Sequence, residues 1–303
     1  MKRWHWVVSA VVIALLVFAA RQVHWAAAGD AICRASLLLL LLALGVNGAS
    51  LVLRAIRWWL FLRAAGIGSL STALRGVIVA CGFNNLVVAN AGEAARTLLV
   101  VRTTGASAAS VLATVALDRL FDPICFGLLF VVGALTVPLP PSLSTTLGTV
   151  TLVAAAVLVA VLWKAPALRG RILCLYTARR FGIALLLSTG VWLLQIAEFA
   201  VVARSLGVAL PIAASVAAMI VINAGLLLRA TPGGLGYFEF AYALAVSHFG
   251  VRTDMAVAIA LVIQMIEIIP VTVAAVVITL QTAGPVRSLR ARAMASVSLG
   301  GSL

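Results

Sequence analysis

Apolar segments of up to about 30 residues recur along nearly the whole chain, and a helix needs about 20 such residues to cross the hydrocarbon core of a bilayer. They fall near residues 4–20, 36–62, 73–92, 106–137, 147–163, 181–203, 210–230, 236–250 and 254–282. Only 10% of the 303 residues are charged, and no polar stretch between the segments is long enough to form a soluble core. The sequence therefore predicts an all-α polytopic membrane protein with a single membrane domain over residues 1–283.

The distribution of charge predicts the orientation of these segments. The chain has 22 Lys and Arg residues against eight Asp and Glu residues, an excess that also suits contact with anionic lipid headgroups. Residues 164–180 carry five basic side chains and are predicted to be cytoplasmic, whereas the uncharged residues 138–146 are predicted to face outward. Residues 284–303 are predicted to be a disordered basic cytoplasmic tail, and the N-terminus is placed on the same side. Three arginines of the second segment are also placed on the cytoplasmic side: Arg54, Arg57 and Arg63.

Two stretches cannot then cross the membrane simply. Residues 73–104 must enter and leave on the cytoplasmic side, and residues 210–250 on the outer side. The sequence TPGGLG at 231–236 supports an interrupted helix, because it cannot continue one and needs protein or water around its backbone. The expected fold is about six full transmembrane helices plus two re-entrant helical hairpins of opposite orientation.

The two hairpins also share a sequence pattern. Glu93 lies 25 positions before Asp118, and Glu239 lies 25 positions before Gln264. This similarity predicts an inverted-topology repeat with halves 36–137 and 181–282, an arrangement typical of secondary transporters, whose sites lie where the repeats meet. The residues predicted to make the hairpin geometry are Asn84, Asn85, Gly92, Asn223, Pro232, Gly233, Gly234 and Gly236.

Charged residues inside apolar segments are the candidate site. Each costs about 3 kcal/mol in lipid unless it is paired or faces a cavity. Arg96 and Arg119 are predicted to offset the nearby acids, and an alternative is that these pairs only lock the hairpins or that the glutamates cap helices. The candidates for substrate binding or for the cavity are Glu93, Arg96, Asp118, Arg119, Asp122 and Glu239. Secondary candidates, for which local pairing is also open, are Glu198, Arg229, Gln264 and Glu267.

Several classes of function lack support in the sequence. The four cysteines show no CxxC or CxxH spacing, so neither a metal site nor a disulfide framework is predicted. No cofactor motif is present, and the arginines lie between apolar spans and not on a soluble face, which argues against nucleic-acid binding. Trp58 and Trp59 are interpreted as aromatic-belt residues at a membrane interface.

Three segments carry a resemblance to a known family. NNLVVANAGEAAR at 84–96, LDRLFD at 117–122 and TPGGLGYFE at 231–239 together resemble the lysylphosphatidylglycerol synthase transmembrane family of flippase-like membrane proteins. The resemblance extends over about residues 36–282. It implies a bacterial inner-membrane protein that moves a lipid headgroup between leaflets. The best-known members carry a soluble aminoacyltransferase domain as well, and none follows the last span here, so the expectation is translocation without an enzymatic activity.

The expected function is therefore that of a lipid translocase for an anionic, aminoacylated or isoprenoid-linked headgroup. The expected partners are membrane lipids, anionic or polyprenyl-linked, and the oligomeric state is not predicted. One alternative is a non-catalytic scaffold or accessory subunit for a separate lipid- or glycan-modifying enzyme. A second is a membrane glycosyltransferase, for which Asp30 in the first outer loop is the candidate acid.

Overall fold

A computed structural model describes residues 25–86, 91–136, 177–225 and 232–300, together with residues 149 and 170. All the regular structure in these ranges is helical, which confirms the all-α class. Two predicted segments, 4–20 and 147–163, lie outside the described residues apart from residue 149. The helices are α1 (Trp25–Cys33), α2 (Leu37–Ala64), α3 (Leu70–Leu86), α4 (Ala91–Thr104), α5 (Ala108–Thr136), α6 (Ala178–Ser205), α7 (Ile212–Gly225), a 3-10 helix (Pro232–Gly234), α8 (Tyr237–Ser247) and α9 (Thr253–Gly300).

Three described helices are long and apolar enough to cross a membrane: α2, α6 and the part of α9 from Thr253 to Thr282. A helix of 28 residues, the length of α2 and of α6, rises about 42 Å and exceeds the hydrocarbon thickness of about 30 Å. Large apolar side chains on these helices remain exposed, Leu38 by 76% and Leu280 by 68%. Such surfaces need lipid around them, and the chain is an integral membrane protein.

The order of elements repeats within the chain. A long helix, two short helices and a second long helix form the first half (α2–α5), and the same order forms the second half (α6–α9). The short helices have 17 and 14 residues in the first half and 14 and 11 residues in the second. In each half the two short helices pack against each other, and the leading helices α2 and α6 pack along each other between the halves.

The leading helices of the two halves also end in the same way. Gly66 and Gly207 each follow the last turn with a positive φ, of 70° and 82°. Three residues after each helix end, a backbone N–H reaches back to a carbonyl of the last turn: Ile67 donates to Leu62 at 2.8 Å and Val208 to Ala203 at 3.0 Å. Glycine tolerates this left-handed conformation, so both helices stop at matching points.

Buried apolar side chains form three clusters. One joins α2, α3, α4 and α5 in the first half, and a larger one joins α6, α7, α8 and α9 in the second half. A third, around Phe61, Phe121 and Ala184, connects α2 and α5 with α6. Each half therefore has its own core, and the third cluster packs the two halves together.

Two ends of the fold differ from the expectation. Helix α9 continues through residues 284–300, where a disordered tail is predicted, because Arg, Ala, Leu and Met in this stretch favour a helix. Helix α1, which packs on α9, covers residues predicted to be an outer loop. Asp30 therefore lies on a helix and not in a loop, and it is exposed.

Candidate functional site

A cavity of about 380 Å³ lies between the two halves. Its wall comes from α2, α3 and α5 of the first half, and from α6, α7, the 3-10 helix, α8 and α9 of the second. Polar side chains are frequent in this wall, although the helices that supply them are strongly apolar. The polar and charged side chains that line it are Asn47, Ser50, Arg54, Arg57, Cys81, Asn84, Asn85, Arg119, Asp122, Gln195, Asn223, Gln264 and Glu267.

Three arginines and three acids form a closed ring of ion pairs at one side of this cavity. Each acid contacts two arginines with its two oxygens, and each arginine contacts two acids, so the formal charge of the ring is zero. Helix α2 supplies one member, α4 two and α5 three. In order around the ring they are Arg57, Asp118, Arg96, Glu93, Arg119 and Asp122.

The ring has close contacts throughout. Asp118 accepts from Arg57 Nε at 2.8 Å and from Arg96 Nη1 at 3.2 Å. Asp122 accepts from Arg119 Nη1 at 2.8 Å and from Arg57 Nη2 at 3.1 Å. Glu93 pairs with Arg96 and with Arg119. Arg57 also donates to Ser188 Oγ of α6 at 2.8 Å, which ties the ring to the second half.

One side of the ring is buried and the other is open. The side chains of Arg57, Arg96 and Asp118 are 5%, 2% and 6% exposed, whereas those of Arg119 and Asp122 are 44% and 39% exposed. An isolated charge on the buried side would be strongly unfavourable, and its two opposite charges compensate it. The open side, with Arg119 and Asp122, reaches the cavity.

An aromatic ring supports the buried side. Trp58 is fully buried, and the guanidinium of Arg96 lies 4.7 Å from its ring centroid. Its indole N–H donates to Thr114 Oγ1 at 3.1 Å. The interpretation of Trp58 as an aromatic-belt residue is therefore wrong, because the side chain lies in the core of the first half as a cation–π partner.

The predicted network is present, with one arginine more than predicted. Arg96 and Arg119 alone would leave three acids with two cations, and Arg57 supplies the third. The placement of Arg57 among cytoplasmic topology charges is wrong, because this residue lies within α2 and is buried. Four polar residues of α2 point to one side of the helix at spacings of three and four, a pattern that could have identified the missed residues: Asn47, Ser50, Arg54 and Arg57.

Arg54 differs from the ring arginines. It lines the cavity one helical turn before Arg57. It forms no ion pair with any described residue, and its buried Nε has no hydrogen-bond partner there. Its placement as a topology charge is therefore also wrong. Arg54 is a cation in a polar cavity whose guanidinium is available to an anion.

The first hairpin is closed by an amide and a glycine. Asn84 at the end of α3 accepts a hydrogen bond at 2.9 Å from the backbone N–H of Gly92 in α4. A Cβ on Gly92 would lie 2.0 Å from the carbonyl oxygen of Ala80, so only glycine permits this close approach of α3 and α4. Asn85 donates to Thr272 Oγ1 of α9 at 3.4 Å. The predicted hairpin residues therefore hold α4 against α3 and connect α3 to the second half.

The second hairpin uses its glutamate differently. Glu239 lies in the first turn of α8 and accepts a hydrogen bond at 2.7 Å from the backbone N–H of Gly236. It does not line the cavity, so this acid matches the helix-capping alternative. The cavity wall here contains Asn223, Gly233 and Gly234 instead. Pro232 begins the 3-10 helix, and Arg229 lies outside the described residues.

The tips of the two hairpins meet at the cavity. A Cβ on Gly233 would lie 3.5 Å from the carbonyl oxygen of Asn85. Gln264 of α9 donates to the carbonyl of Gly233 at 3.4 Å. The breaks in the two hairpins therefore face each other beside α9, and both border the cavity.

Two glutamates of the second half lie outside the ring. Glu198 of α6 is fully buried, and both of its oxygens accept from Asn47 Nδ2, at 3.2 and 3.3 Å. Glu267 of α9 lines the cavity together with Gln264, which lies one turn earlier. Neither glutamate is ion-paired with a described residue. Glu267 and Gln264 therefore lie in the same cavity wall as Arg54, and Glu198 contacts Asn47 of that wall.

The protein is thus an α-helical membrane protein with two halves of the same element order and a polar cavity between them. The sequence identifies the family. The family described as lysylphosphatidylglycerol synthase TM region matches residues 6–275, and the chain belongs to this family. The family confirms the predicted resemblance and a role connected with membrane lipids. No curated protein matches the sequence.

Proposed function

We propose that this protein moves the headgroup of a membrane lipid between the two leaflets of the bacterial inner membrane. The observation that carries the proposal is the polar cavity between the two halves, with an arginine in its wall, Arg54, that forms no ion pair with a described residue. Its volume of about 380 Å³ lies within the range of about 300–1,000 Å³ that is usual for small-molecule sites. The headgroup passes through this cavity while the acyl or prenyl chains stay in lipid.

The chemistry of the wall favours a phosphate-containing headgroup. Arg54 can form a bidentate pair with a phosphate, which Lys cannot match. The ring arginines already have their partners and act as scaffold. Anionic, aminoacylated and isoprenoid-linked lipids all carry the phosphate that Arg54 would bind, and their remaining headgroup atoms would contact the amides of Asn47, Gln195 and Asn223.

The short helices support re-entrant hairpins. Helices of 11–17 residues rise about 17–26 Å, less than the thickness of about 30 Å that a spanning helix must cover. In our proposal α3 with α4, and α7 with α8, enter the membrane from opposite sides and meet at their tips, while about six other helices cross. Both termini are cytoplasmic, and rocking of one half against the other exposes the cavity alternately to the two sides.

The proposal gives the protein no enzymatic role. The chemical work is recognition of a phosphate and passage of a polar headgroup, and no bond in the lipid is made or broken. A scaffold for a separate lipid- or glycan-modifying enzyme is the competing function. A scaffold needs this protein only to be folded, and the purified protein would then move no lipid.

The test is lipid movement in proteoliposomes. The purified full chain is reconstituted with fluorescently tagged anionic, aminoacylated or isoprenoid-linked lipids, and dithionite bleaches the outer leaflet. We expect the protein to accelerate the loss of the inner-leaflet signal for at least one lipid. We expect Arg54→Gln to abolish most of this acceleration while the protein still folds.

The matched control is Arg63→Gln. Arg63 lies on the same helix, is exposed and stacks on Trp59 at 5.3 Å, away from the cavity. We expect this variant to move lipid at the wild-type rate. Absence of acceleration for every lipid by folded wild-type protein would contradict translocation and favour the scaffold function.

A further inference from the structure

Glu198 is a carboxyl group in an unusual position. It is fully buried within α6, and its described hydrogen-bond donor is one amide nitrogen of Asn47, shared between both oxygens. No described cation lies within ion-pair distance of it. An ionised carboxylate in such surroundings carries a high cost in free energy, which a bound proton removes.

A negative charge on Glu267 makes ionisation of Glu198 less favourable. Glu267 lines the same cavity as Arg54 and as Asn47, which donates to Glu198, so both carboxyl groups and Arg54 border one polar space. Two negative charges then share one positive charge. A single proton on the pair makes the group of three neutral, as is usual when two carboxyl groups share one site.

The remaining charges around the cavity do not supply the missing cation. The other charged residues in its wall are Arg57, Arg119 and Asp122, all of which belong to the neutral ring. The described wall residues of α3, α7, α8 and the 3-10 helix are uncharged. The charge balance of the two glutamates therefore depends on Arg54 and on protons.

An unused acceptor lies beside the pair. Gln264 is 3% exposed, and its buried Oε1 accepts no hydrogen bond from a described residue, while its Nε2 donates to Gly233. Glu267 lies three residues further along α9, on the same helix face. A protonated carboxyl group at Glu267 has the O–H donor that this acceptor lacks, whereas a carboxylate has none.

We propose that Glu198 and Glu267 form a proton-binding site that is coupled to anion binding at Arg54. This inference rests on the proposed function. With the cavity empty, Arg54 balances one carboxylate and a proton neutralises the other. A lipid phosphate that pairs with Arg54 takes over its positive charge, so the second carboxylate takes up a proton from solvent. Anion and proton then bind together, and each raises the affinity for the other.

The test counts protons during anion binding. Wild-type protein in detergent is titrated with dihexanoyl phosphatidylglycerol and, separately, with inorganic phosphate, by calorimetry in two buffers of different ionisation enthalpy. Arg54→Gln serves as the blank for partition of the lipid into micelles. We expect uptake of about one proton for each bound anion. Binding of both probes would indicate recognition of the phosphate alone, and binding of the lipid probe only would indicate recognition of the headgroup.

Variants of the pair assign the protons. Each single variant, Glu198→Gln or Glu267→Gln, keeps one carboxylate beside Arg54 and should keep most of the uptake. We expect the double variant Glu198→Gln/Glu267→Gln to bind the anion but to lose most of the proton uptake. Asp254→Asn, the same change on the same helix as Glu267, removes an acid that pairs with the exposed Arg252, and it should keep the full uptake. Infrared difference spectra of the wild type give a readout without any variant. Phosphate binding should add a protonated-carboxyl C=O band.

The outcomes separate the two proposals. Anion binding without proton uptake and without the new carboxyl band would overturn the coupling and leave translocation intact. Uptake that persists unchanged in the double variant Glu198→Gln/Glu267→Gln would overturn the assignment to this pair. Binding of neither probe by folded wild-type protein would overturn both the coupling and the headgroup site on which it rests.

Discussion

The two sides of the cavity handle charge in opposite ways. On the side of the first half, three arginines and three acids are matched contact by contact, and the ring is neutral. Outside the ring, Glu198 of the second half accepts from an amide, Glu267 lines the cavity, and neither glutamate forms an ion pair with Arg54. Every charged group of the ring already contacts opposite charges, so none is left to bind a ligand. The unmatched side can exchange partners, and for this reason we propose the site for an anion and a proton there.

The repeat itself shows how this difference arose. Glu93 and Glu239 hold equivalent places in the two hairpins, but Glu93 pairs with two arginines and Glu239 caps its own helix. Asp118 of the ring corresponds to Gln264, which carries no charge. The same spacing therefore supports an ion-pair scaffold in one half, and a helix cap with an uncharged wall residue in the other.

The largest effect should come from opening the ring on its buried side. Asp118→Asn removes the carboxylate that compensates Arg57 and Arg96, leaving buried positive charge unbalanced. We expect the free energy of unfolding to fall by about 3–5 kcal/mol, measured as a lower melting temperature in detergent. Asp254→Asn is the control, because its partner Arg252 is 79% exposed and solvent screens that pair. Equal melting temperatures for the two variants would contradict the matched ring.

Two arginines one turn apart on α2 should separate binding from stability. Arg54→Gln removes the cation that forms no ion pair with a described residue, and we expect anion affinity to fall by about 1.5–3 kcal/mol, roughly 10- to 150-fold, with little change in melting temperature. Arg57→Gln breaks two ion pairs and the bond to Ser188, so we expect mainly a loss of stability. Calorimetry and thermal unfolding of both variants check this. A loss of stability in Arg54→Gln as large as in Arg57→Gln would remove the distinction between the two sides.

A glycine tests the closure of the first hairpin. Gly92→Ala places a methyl group against the backbone oxygen of Ala80, so α3 and α4 must move apart. We expect a loss of about 1–3 kcal/mol in stability. Gly45→Ala in α2 meets no atom within 4 Å and should be neutral or slightly stabilising, since Ala favours helix more than Gly. If Gly92→Ala were as stable as Gly45→Ala, the close packing of the hairpin would be wrong.

The smallest effect should come from the amide beside Glu198. Asn47→Ala removes the described donor to this carboxyl group, and we expect a loss of about 1 kcal/mol in stability. A double-mutant cycle with Glu198→Gln measures the interaction between the two side chains. The cycle should show coupling of the same order. Strict additivity would mean that Asn47 does not support Glu198.

Much of the fold can be predicted from the sequence, because apolar segments of about 20 residues or more predict membrane helices. The acids and arginines of the first hairpin also follow, since charges in such segments need partners. Arg54 and Arg57 do not follow from the positive-inside rule, which counts every arginine near a helix end as a loop charge. Only the tertiary contact between α2 and α5 shows that Arg57 is a ring member. The capping role of Glu239 is local, and its position three residues after Gly236 indicates it.

The most direct test of the cavity as a headgroup site uses Cys81, which lines it. A variant with Cys33, Cys125 and Cys174 replaced leaves this thiol alone, and a variant that keeps only the exposed Cys33 is the control. Both are reconstituted in neutral vesicles with or without phosphatidylglycerol and treated with a cationic methanethiosulfonate, which reacts with thiolate in water. We predict that Cys81 reacts and that phosphatidylglycerol slows it, with Cys33 unaffected. A Cys81 that never reacts, or reacts equally fast with and without the anionic lipid, would contradict a headgroup site between the two halves.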